Sequence, residues 1–418
     1  MRNFLAHTDE TREELLKSIS CGSIEELFNK ISQKTRAKSL SLDDALSEMQ
    51  TQKKVKSLAK KNNTDVISFL GAGVYNKFIP ACVSQVAQRW EFLTAYTPYQ
   101  PEISQGTLQI MYEFQSMICN LTGMDITNAS VYDGATACAE AILMAARITK
   151  KNKALVSDMI NPEYKEVIKT YTDAIDLEIA WGIKAGVDFA DYACVLVQNP
   201  DYFGNIQDTN FAEKLQNSNT LLVVCVDVSS LSVLNAPSEY GADIVVGDVQ
   251  TLGLPMSFGG PYAGFMSCKE KFMRQLSGRI AGRTLDTDGN QAFTLTIQTR
   301  EQHIKREKAT SNICSNQALM ALCATLYLTL LGEKGFKQAG ILSSQNAHKL
   351  SKMLAVKGIK TLNKDFYNEF VIEVDNADKF LAKLKEKNII GGLKLDEKKI
   401  LVAATEMNTQ DELELYCS

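Results

Sequence analysis

Between residues 66 and 308, short apolar segments alternate with segments of helical periodicity, and this alternation constrains the fold more than any other feature. The predicted strands are at 154–157, 193–198, 221–227, 244–247 and 263–267. The predicted helices are at 104–122, at 135–149, near 160–172 and at 209–217. Near-continuous apolar strands separated by helices indicate a mostly parallel sheet with helices on both faces. Ligands of such sheets lie at the carboxyl ends of the strands, where Asp201, Asp227 and Asp248 fall.

The segment 215–268 contains no lysine, arginine or histidine. It nevertheless has the order of elements found in the cofactor half of a fold-type-I pyridoxal-phosphate enzyme: a strand ending in Asp227, a second strand, and a glycine-rich loop at 257–261. Such an enzyme has its Schiff-base lysine just after the second strand, where this chain has Gln250 and Thr251. A carboxamide cannot form an imine, so the sequence predicts that another chain supplies the amine.

The bulk composition excludes several classes of function. The 418 residues carry 45 basic and 49 acidic side chains, a net charge of −4, and no long basic tract predicts nucleic-acid binding. Ten cysteines without C-x-x-C spacing and only three histidines predict no metal site. Residues 1–17 lack the apolar core of a signal peptide, and the longest apolar run, 318–331, is too short to span a bilayer. We therefore expect a cytoplasmic protein without a membrane anchor.

Three regions differ in pattern. We expect a helical N-terminal extension over 1–62, with Thr8 or Asp9 as an N-cap and Ser23 and Glu26 as a capping box. The large α/β domain is expected over 63–312. The segment 313–418 is expected to form a small α+β domain with helices at 315–331, 333–356 and 377–387 and strands at 369–374 and 400–404.

A loop rich in proline and tyrosine gives the densest local signal for a functional site. Pro98 and Pro101 fix an extended backbone from which polar side chains project, namely those of Tyr96, Tyr99, Gln100, Glu102, Ser104 and Gln105. Ser104 is also a candidate cap for the helix that follows. The alternative is a rigid loop whose tyrosines only pack on the surface.

Two further positions correspond to cofactor contacts. Thr136 lies in a segment, 133–136, that opens a helix, and backbone amides at a helix N-terminus attract anions such as phosphate. Asp227 is where fold-type-I enzymes have an aspartate that pairs with the pyridinium nitrogen. Capping alone would explain the segment 133–136 equally well. For Asp227, a carboxylate that caps the next turn is the favoured interpretation, because the lysine is absent.

The segment 299–308 is strongly charged, and Asn312 follows it closely. Half of these side chains are expected to form a solvated helix face with i,i+4 pairs. Arg300 and His303 are the two that could reach a carboxylate or a proton near the cleft.

Taken together, the motifs closely resemble, almost end to end, subunit 1 of the two-subunit glycine dehydrogenases (decarboxylating), the P-proteins of the glycine cleavage system. The resemblance lies in segments 69–73, 94–106, 133–137, 257–261, 298–304 and 308–314. One departure is Gln291, where relatives usually have an arginine, and it puts in doubt an anion contact at that position.

The resemblance implies a pyridoxal-phosphate reaction in which glycine loses carbon dioxide and its aminomethyl group passes to the lipoyl arm of the H-protein. Subunit 2 would supply the lysine and the cofactor at a shared site, in an α2β2 heterotetramer. The implied catalytic residues are Tyr96, Tyr99, Glu102 and His303. Residues expected near substrate or cofactor are Gln100, Ser104, Gln105, Arg300 and Asn312. The degenerate cofactor positions are Thr136, Asp227 and Gln250.

Two alternatives remain open. The chain could be a structural pseudoenzyme that stabilises its partner without contributing site residues. It could also be a self-sufficient enzyme that uses Lys269 or Lys271, although both follow the next strand and lie at the wrong end of it.

Overall fold

The computed structural model describes residues 8–418 except Lys38, Leu40, 94–96, 208–212, Lys214 and 216–217. The predicted catalytic residue Tyr96 and most of the predicted helix at 209–217 therefore lie outside the described residues. The chain separates into two compact units, Met1–Thr64 and Asp65–Ser418.

The first unit contains helices α1 (Asp9–Ser18) and α2 (Glu48–Ala59) and a 3₁₀ turn at Ile24–Phe28. The Thr8 hydroxyl accepts from the Thr11 amide at 3.2 Å and caps α1. The predicted capping box at Ser23 is wrong, because Ser23 makes no side-chain cap and the Glu26 carboxylate accepts from the Gly22 amide instead. No residue described between 8 and 64 is buried, so this part of the chain has no core of its own.

The second unit begins with a short strand and contains most of the regular structure. Its strands are β1 (Ile67–Ser68), β2 (Ile126–Thr127), β3 (Lys153–Val156), β4 (Glu178–Trp181), β5 (Cys194–Asn199), β6 (Leu221–Asp227), β7 (Ile244–Asp248), β8 (Gly264–Cys268), β9 (Ile280–Leu285), β10 (Gln291–Thr296), β11 (Lys360–Thr361), β12 (Glu369–Glu373), β13 (Ile389–Ile390), β14 (Leu393–Lys394) and β15 (Lys399–Ala403). Its described helices are α3 (Ala81–Ala87), α4 (Trp90–Leu93), α5 (Gln105–Thr122), α6 (Gly134–Thr149), α7 (Pro162–Asp173), α8 (Gln302–Lys305), α9 (Ala318–Val356), α10 (Ala377–Glu386) and α11 (Gln410–Cys417).

The main sheet has seven strands in the order β2-β8-β7-β6-β5-β3-β4. Strands β3 to β7 pair in parallel, and β8 runs antiparallel to both of its neighbours. This confirms the predicted mostly parallel sheet. The register pairs Asp227 with Asp248 and Asn199 with Val226, so the carboxyl ends of β5, β6 and β7 meet at one edge.

Both faces of the sheet are covered, because successive strand residues alternate between two apolar clusters. Val223 and Val246 belong to the cluster that includes the buried face of α6. Val224 and Val245 belong to the opposite cluster, which includes residues of α5 and α9. Residues buried on both faces explain why the strands are continuously apolar in the sequence.

Helix α9 is interrupted at Gly332, whose backbone is not helical (φ 58°, ψ −177°). The sequence predicts two helices that meet at this residue, and the structure has one long helix with a kink there. By length and composition alone, α9 is the one helix within the described residues that could cross a membrane. Ala321, Ala324 and Tyr327 of this apolar stretch are buried in the cluster under the sheet.

The C-terminal part contains a four-stranded antiparallel sheet in the order β11-β12-β15-β14. A separate apolar cluster covers it, formed by α10, α11 and the end of α9. Strand β1 pairs with β13, which joins the start of this unit to its end. The predicted domain boundaries at 62 and 312 stay predictions.

Candidate active site

A small pocket lies at the edge where β5, β6 and β7 end. Its cavity volume is about 50 Å³. Its lining includes Tyr75, Asn161, Tyr164, Asp201, Asp227, Asp248, Gln250, Tyr367, Asn368 and Glu369. The predicted degenerate cofactor positions Asp227 and Gln250 thus share one pocket.

Gln250 is fully committed to structural hydrogen bonds. Its Oε1 accepts from the Tyr75 amide at 3.0 Å, and its Nε2 donates to the carbonyls of Tyr75 and Leu254 at 3.0 and 2.9 Å. The residue is only 2% exposed. The side chain at the expected lysine position therefore ties the segment around Tyr75 to the end of β7.

Asp227 is also held by its own surroundings. Its carboxylate accepts from the backbone amide and hydroxyl of Ser229 at 2.9 Å and from the Thr251 hydroxyl at 3.3 Å. Burial raises the pKa of this carboxyl above its ordinary value. These bonds cap the turn at Val228–Ser232, as the capping alternative for Asp227 predicts.

The sequence suggests a phosphate site at the start of α6. In the structure, backbone amides at this helix end donate hydrogen bonds to carboxylates. The Gly134 amide donates to Asp248 Oδ2 at 3.0 Å, and the Thr136 amide donates to Asp133 Oδ1 at 2.7 Å. Burial raises the pKa of Asp248 to about 7. An anion docked here would have to displace one of these carboxylates, so the prediction of a phosphate site on this helix is not supported by the geometry.

Pyridoxal phosphate does not fit this pocket. Four carboxyl groups line it, from Asp201, Asp227, Asp248 and Glu369, and no lysine, arginine or histidine is among its described lining residues. A phosphate group would therefore find no cation to pair with among these lining residues. The cavity is also far smaller than the range of about 300–1,000 Å³ typical of small-molecule sites.

The alternative lysines lie away from this pocket. Lys269 Nζ is 2.6 Å from Asp243 Oδ1, immediately before β7, at the opposite edge of the sheet from the pocket. Lys271 Nζ lies over the ring of Phe272, 4.7 Å from its centroid. Neither residue lines the pocket, so the geometry does not support a self-sufficient enzyme that uses them.

A second polar cluster involves the proline and tyrosine loop. Tyr99 Oη accepts from Arg279 Nη2 at 2.9 Å, and the guanidinium carbon lies 4.8 Å from the centre of the Tyr99 ring. The ring of His303 meets that of Tyr99 edge-on, with centroids 5.6 Å apart. Glu301 Oε2 lies 3.6 Å from both Arg279 Nη1 and His303 Nδ1. We call these four residues the Tyr99 cluster.

The Tyr99 cluster contains buried polar atoms that have no hydrogen-bond partner among the described residues. These atoms are Arg279 Nε, Arg279 Nη1 and Glu301 Oε1. The Arg279 side chain is 3% exposed and the Glu301 side chain 9%, whereas His303 retains 38% exposure. Tyr99 is 45% exposed. The cluster therefore offers an accessible tyrosine and histidine above a buried ion pair.

Sequence reasoning missed Arg279 and Glu301 as members of this cluster. Arg279 lies 180 residues from Tyr99, and its own segment contains no known motif. A single charged residue between the apolar residues Leu276 and Ile280 was the available signal, because a charge in such a setting is usually paired.

Other predicted residues of the loop have structural contacts. Ser104 occupies the N-cap position of α5 but makes no side-chain cap, so that prediction is wrong. Gln105 instead donates to the carbonyls of Pro101 and Phe293 at 2.7 and 2.9 Å and accepts from the Phe293 amide at 2.8 Å. It thereby ties the loop to β10. Gln100 and Glu102 are exposed.

Arg300 and Asn312 differ in exposure. The Arg300 guanidinium is buried and donates to the carbonyls of Leu276, Gly278 and Ile297. Asn312 is exposed, and its carbonyl accepts from Gln302 Nε2 at 2.9 Å. Their predicted closeness to substrate stays a prediction.

The fold belongs to the fold-type-I class of pyridoxal-phosphate enzymes. A Lactobacillus brevis glutamate decarboxylase aligns with a TM-score of 0.65 at 11% identity, covering 93% of this chain and 96% of that one. A C-DES mutant with glycine covalently linked to its PLP cofactor aligns with a TM-score of 0.60 at 13% identity, covering 85% and 96%. These likenesses show the fold alone.

Closer relatives define the family. The family model for the glycine cleavage system P-protein matches residues 2–417. The chain is 46% identical to a probable glycine dehydrogenase (decarboxylating) subunit 1 of Desulforamulus reducens and 44% identical to one of Geobacillus thermodenitrificans, covering 99% and 100% of this chain and 98% of each relative. A crystal structure of a glycine decarboxylase (P-protein) in inhibitor-bound form aligns with a TM-score of 0.92 at 39% identity, covering 99% and 98%. The chain belongs to the glycine cleavage system P-protein family, which confirms the resemblance seen in the sequence.

Proposed function

We propose that this chain is the subunit of glycine dehydrogenase (decarboxylating) that lacks the Schiff-base lysine, and that it works together with a lysine-bearing subunit 2. The pair decarboxylates glycine and transfers the aminomethyl group to the lipoyl arm of the H-protein. One observation carries the proposal. Gln250 stands at the lysine position, and both polar atoms of its side chain are hydrogen-bonded beside a pocket lined by carboxyl groups. We place the assembly in the cytoplasm as an α2β2 heterotetramer.

The chemistry of decarboxylation belongs to the cofactor. Pyridoxal phosphate, held by subunit 2 with its lysine, would supply the electron sink for the bond that breaks. What this chain adds is orientation of the substrate and exclusion of water around the reacting carbon. We assign those tasks to the proline and tyrosine loop.

Tyr99 has the right hydrogen-bond arrangement to orient a carboxylate. Its oxygen accepts from Arg279, so its own proton is left to donate outward. The side chain is 45% exposed and can therefore reach a molecule bound against the loop. A hydroxyl that donates to the glycine carboxylate would hold the leaving group in a fixed direction.

His303 is the group in the Tyr99 cluster whose ring nitrogens can each donate or accept a hydrogen bond, depending on the tautomer. Its Nδ1 faces Glu301 at 3.6 Å, and its ring is part-exposed beside Tyr99. In the proposed site His303 moves a proton next to the tyrosine. Tyr96 and Glu102 complete the predicted catalytic set.

The structural pseudoenzyme alternative differs in what it predicts for these side chains. The comparisons do not favour it, since they place the chain with named subunits of the enzyme. Under that alternative the Tyr99 cluster would be dispensable for turnover.

Reconstitution tests the proposal. The purified chain is mixed with subunit 2, glycine, pyridoxal phosphate and H-protein, and exchange of labelled bicarbonate into the glycine carboxyl group is measured. We expect exchange with both subunits and none with this chain alone. Exchange by the isolated chain would refute the division of labour.

A further inference from the structure

We propose that Arg279 is a positioning residue for Tyr99 and fixes the tilt of its ring and the direction of its hydroxyl. The inference rests on the proposed function, because it assumes that Tyr99 faces the glycine site. It adds a residue outside the predicted loop and gives the buried ion pair of the Tyr99 cluster a role in the reaction.

The contacts of Arg279 constrain Tyr99 in two ways. Nη2 donates to the tyrosine oxygen at 2.9 Å, which fixes the position of the hydroxyl. The guanidinium carbon lies 4.8 Å from the ring centre, a cation–π distance that limits how far the ring can tilt. The same Nη2 also donates to the carbonyl of Cys314, which anchors the guanidinium to the backbone.

Glu301 supplies the opposing charge. Its Oε2 lies 3.6 Å from Arg279 Nη1 and at the same distance from His303 Nδ1. The pair therefore connects Tyr99 and His303, the two accessible members of the cluster, through buried charges.

A buried guanidinium with free N–H groups is costly for the fold. Within the described part of the chain, Arg279 Nε and Nη1 have no hydrogen-bond partner, and neither does Glu301 Oε1. Unsatisfied buried charged groups destabilise a protein, and such exceptions call for an explanation beyond stability.

Arg300, in the same region, uses its donors differently. It is also buried, and its donors reach three backbone carbonyls, those of Leu276, Gly278 and Ile297. Arg279 instead directs Nη2 to a tyrosine side chain and the Cys314 carbonyl, and its Nε and Nη1 make no hydrogen bond to the described residues. This contrast favours a role for Arg279 in holding Tyr99.

Lysine cannot reproduce this arrangement. An ammonium is a single point of charge on a flexible stem, whereas a guanidinium is a planar fork that can bond the hydroxyl while lying against the ring. Arg279→Lys therefore keeps the positive charge but cannot bond the Tyr99 hydroxyl and lie against the Tyr99 ring at the same time.

The test is a double-mutant cycle in the reconstituted complex with subunit 2. Bicarbonate exchange is measured for the wild type, Arg279→Lys, Tyr99→Phe and the double variant, with kcat and the KM for glycine separated. We expect Arg279→Lys to lower kcat by about tenfold with little change in KM. The double variant should be no slower than Tyr99→Phe alone, because Arg279 acts only through the hydroxyl.

Arg147→Lys is the matched control. Arg147, on α6, is part-buried, its Nε has no hydrogen-bond partner among the described residues, and it donates to the Gln275 carbonyl. This variant should retain wild-type kcat. Sedimentation of each variant with subunit 2 verifies that assembly is intact.

The outcomes separate the two claims. A normal rate for Tyr99→Phe would refute the assigned role of Tyr99, and with it the proposal for Arg279. Two outcomes would refute the Arg279 role alone, given that Tyr99→Phe lowers the exchange rate. One is a normal rate for Arg279→Lys, and the other is a rate for the double variant that reflects the product of the two single losses. If Arg279→Lys does not fold, Arg279→Gln takes its place in the cycle. If neither variant folds, Arg279 is required for the fold itself and the positioning role is refuted.

Discussion

The side chain of Gln250 forms hydrogen bonds with both backbone polar groups of Tyr75. It accepts from the Tyr75 amide and donates to the Tyr75 carbonyl, each at 3.0 Å. In a chain that carried the Schiff-base lysine, this position would have to leave its amine free for the cofactor. Here the position instead ties the segment around Tyr75 to the end of β7.

Removing the Gln250 amide should destabilise the chain. Gln250→Met keeps the approximate volume but leaves the Tyr75 amide and two carbonyls without partners in a buried site. Each unsatisfied buried group costs about 1–3 kcal/mol, so we expect a loss of at least about 2 kcal/mol in the free energy of unfolding. Urea denaturation of the full chain measures it. Gln109→Met on the exposed face of α5 is the control and should change stability by less than about 0.5 kcal/mol.

Glu369 should make stability depend on pH. Burial raises the pKa of this carboxyl to about 7 from an ordinary 4.5. The folded state therefore binds a proton that the unfolded state has lost, so the stability from this group is complete below about pH 4.5 and is lost as pH rises through 7. The total loss is at most about 3 kcal/mol.

Glu369→Gln isolates this effect. A glutamine can still accept from the Ala72 amide and donate to the Tyr75 oxygen, which are the two partners of Glu369. The unfolding free energy of the variant relative to the wild type should rise between pH 5 and pH 8. The same difference for the exposed Glu333→Gln should stay flat. A flat difference for Glu369→Gln would mean that Glu369 is ionised throughout this range.

Tyr99→Phe should impair catalysis without impairing assembly. The change keeps the ring packing against His303 and deletes the hydroxyl that Arg279 holds. We expect exchange activity to fall by about tenfold or more, where each factor of ten corresponds to about 1.4 kcal/mol of transition-state stabilisation. Normal rates for both Tyr99→Phe and Tyr96→Phe would show that the loop only packs, and the pseudoenzyme alternative would then be preferred.

Association with subunit 2 should be obligate and extensive. The N-terminal unit exposes apolar side chains, including Leu15, Leu27 and Ile31, and none of its described residues is buried. Exposed apolar groups of this kind mark interaction surfaces. Sedimentation of the mixed subunits at micromolar concentration should show a complex of two copies of each, and a chain that lacks residues 1–62 should associate more weakly. Separate sedimentation of the intact subunits would contradict this prediction.

The sequence predicted the main sheet well because its strands are buried on both faces. The apolar runs at β5, β6 and β7 match their predicted positions within one residue. The edge strand β4 was missed, since its residues are exposed or only partly buried and carry no continuous apolar run. The hairpin of β9 and β10 was missed for a similar reason, as the outer half of β9 is exposed.

The residues of the candidate site could be predicted only where the order of neighbouring elements along the sequence identifies them. The order of a strand, a polar residue and a glycine-rich loop identified Gln250. The sequence could not predict that Arg279 lies beside Tyr99. That contact depends on how β9 packs near the loop, and it produces no periodic pattern of residues in the sequence. Ser104 shows a different limit of sequence-based prediction, because a serine at an N-cap position does not always form the capping hydrogen bond. Here the neighbouring Gln105 ties the loop to β10 instead.

The most direct test of the central claim is to locate the amine that binds the cofactor. The reconstituted complex is incubated with pyridoxal phosphate and reduced with borohydride, and each subunit is analysed by mass spectrometry. Because Gln250 cannot form an imine and no lysine is among the described residues that line its pocket, we predict a phosphopyridoxyl label on a lysine of subunit 2 and none on this chain. A labelled lysine in this chain, above all between Leu215 and Met273, would contradict the account.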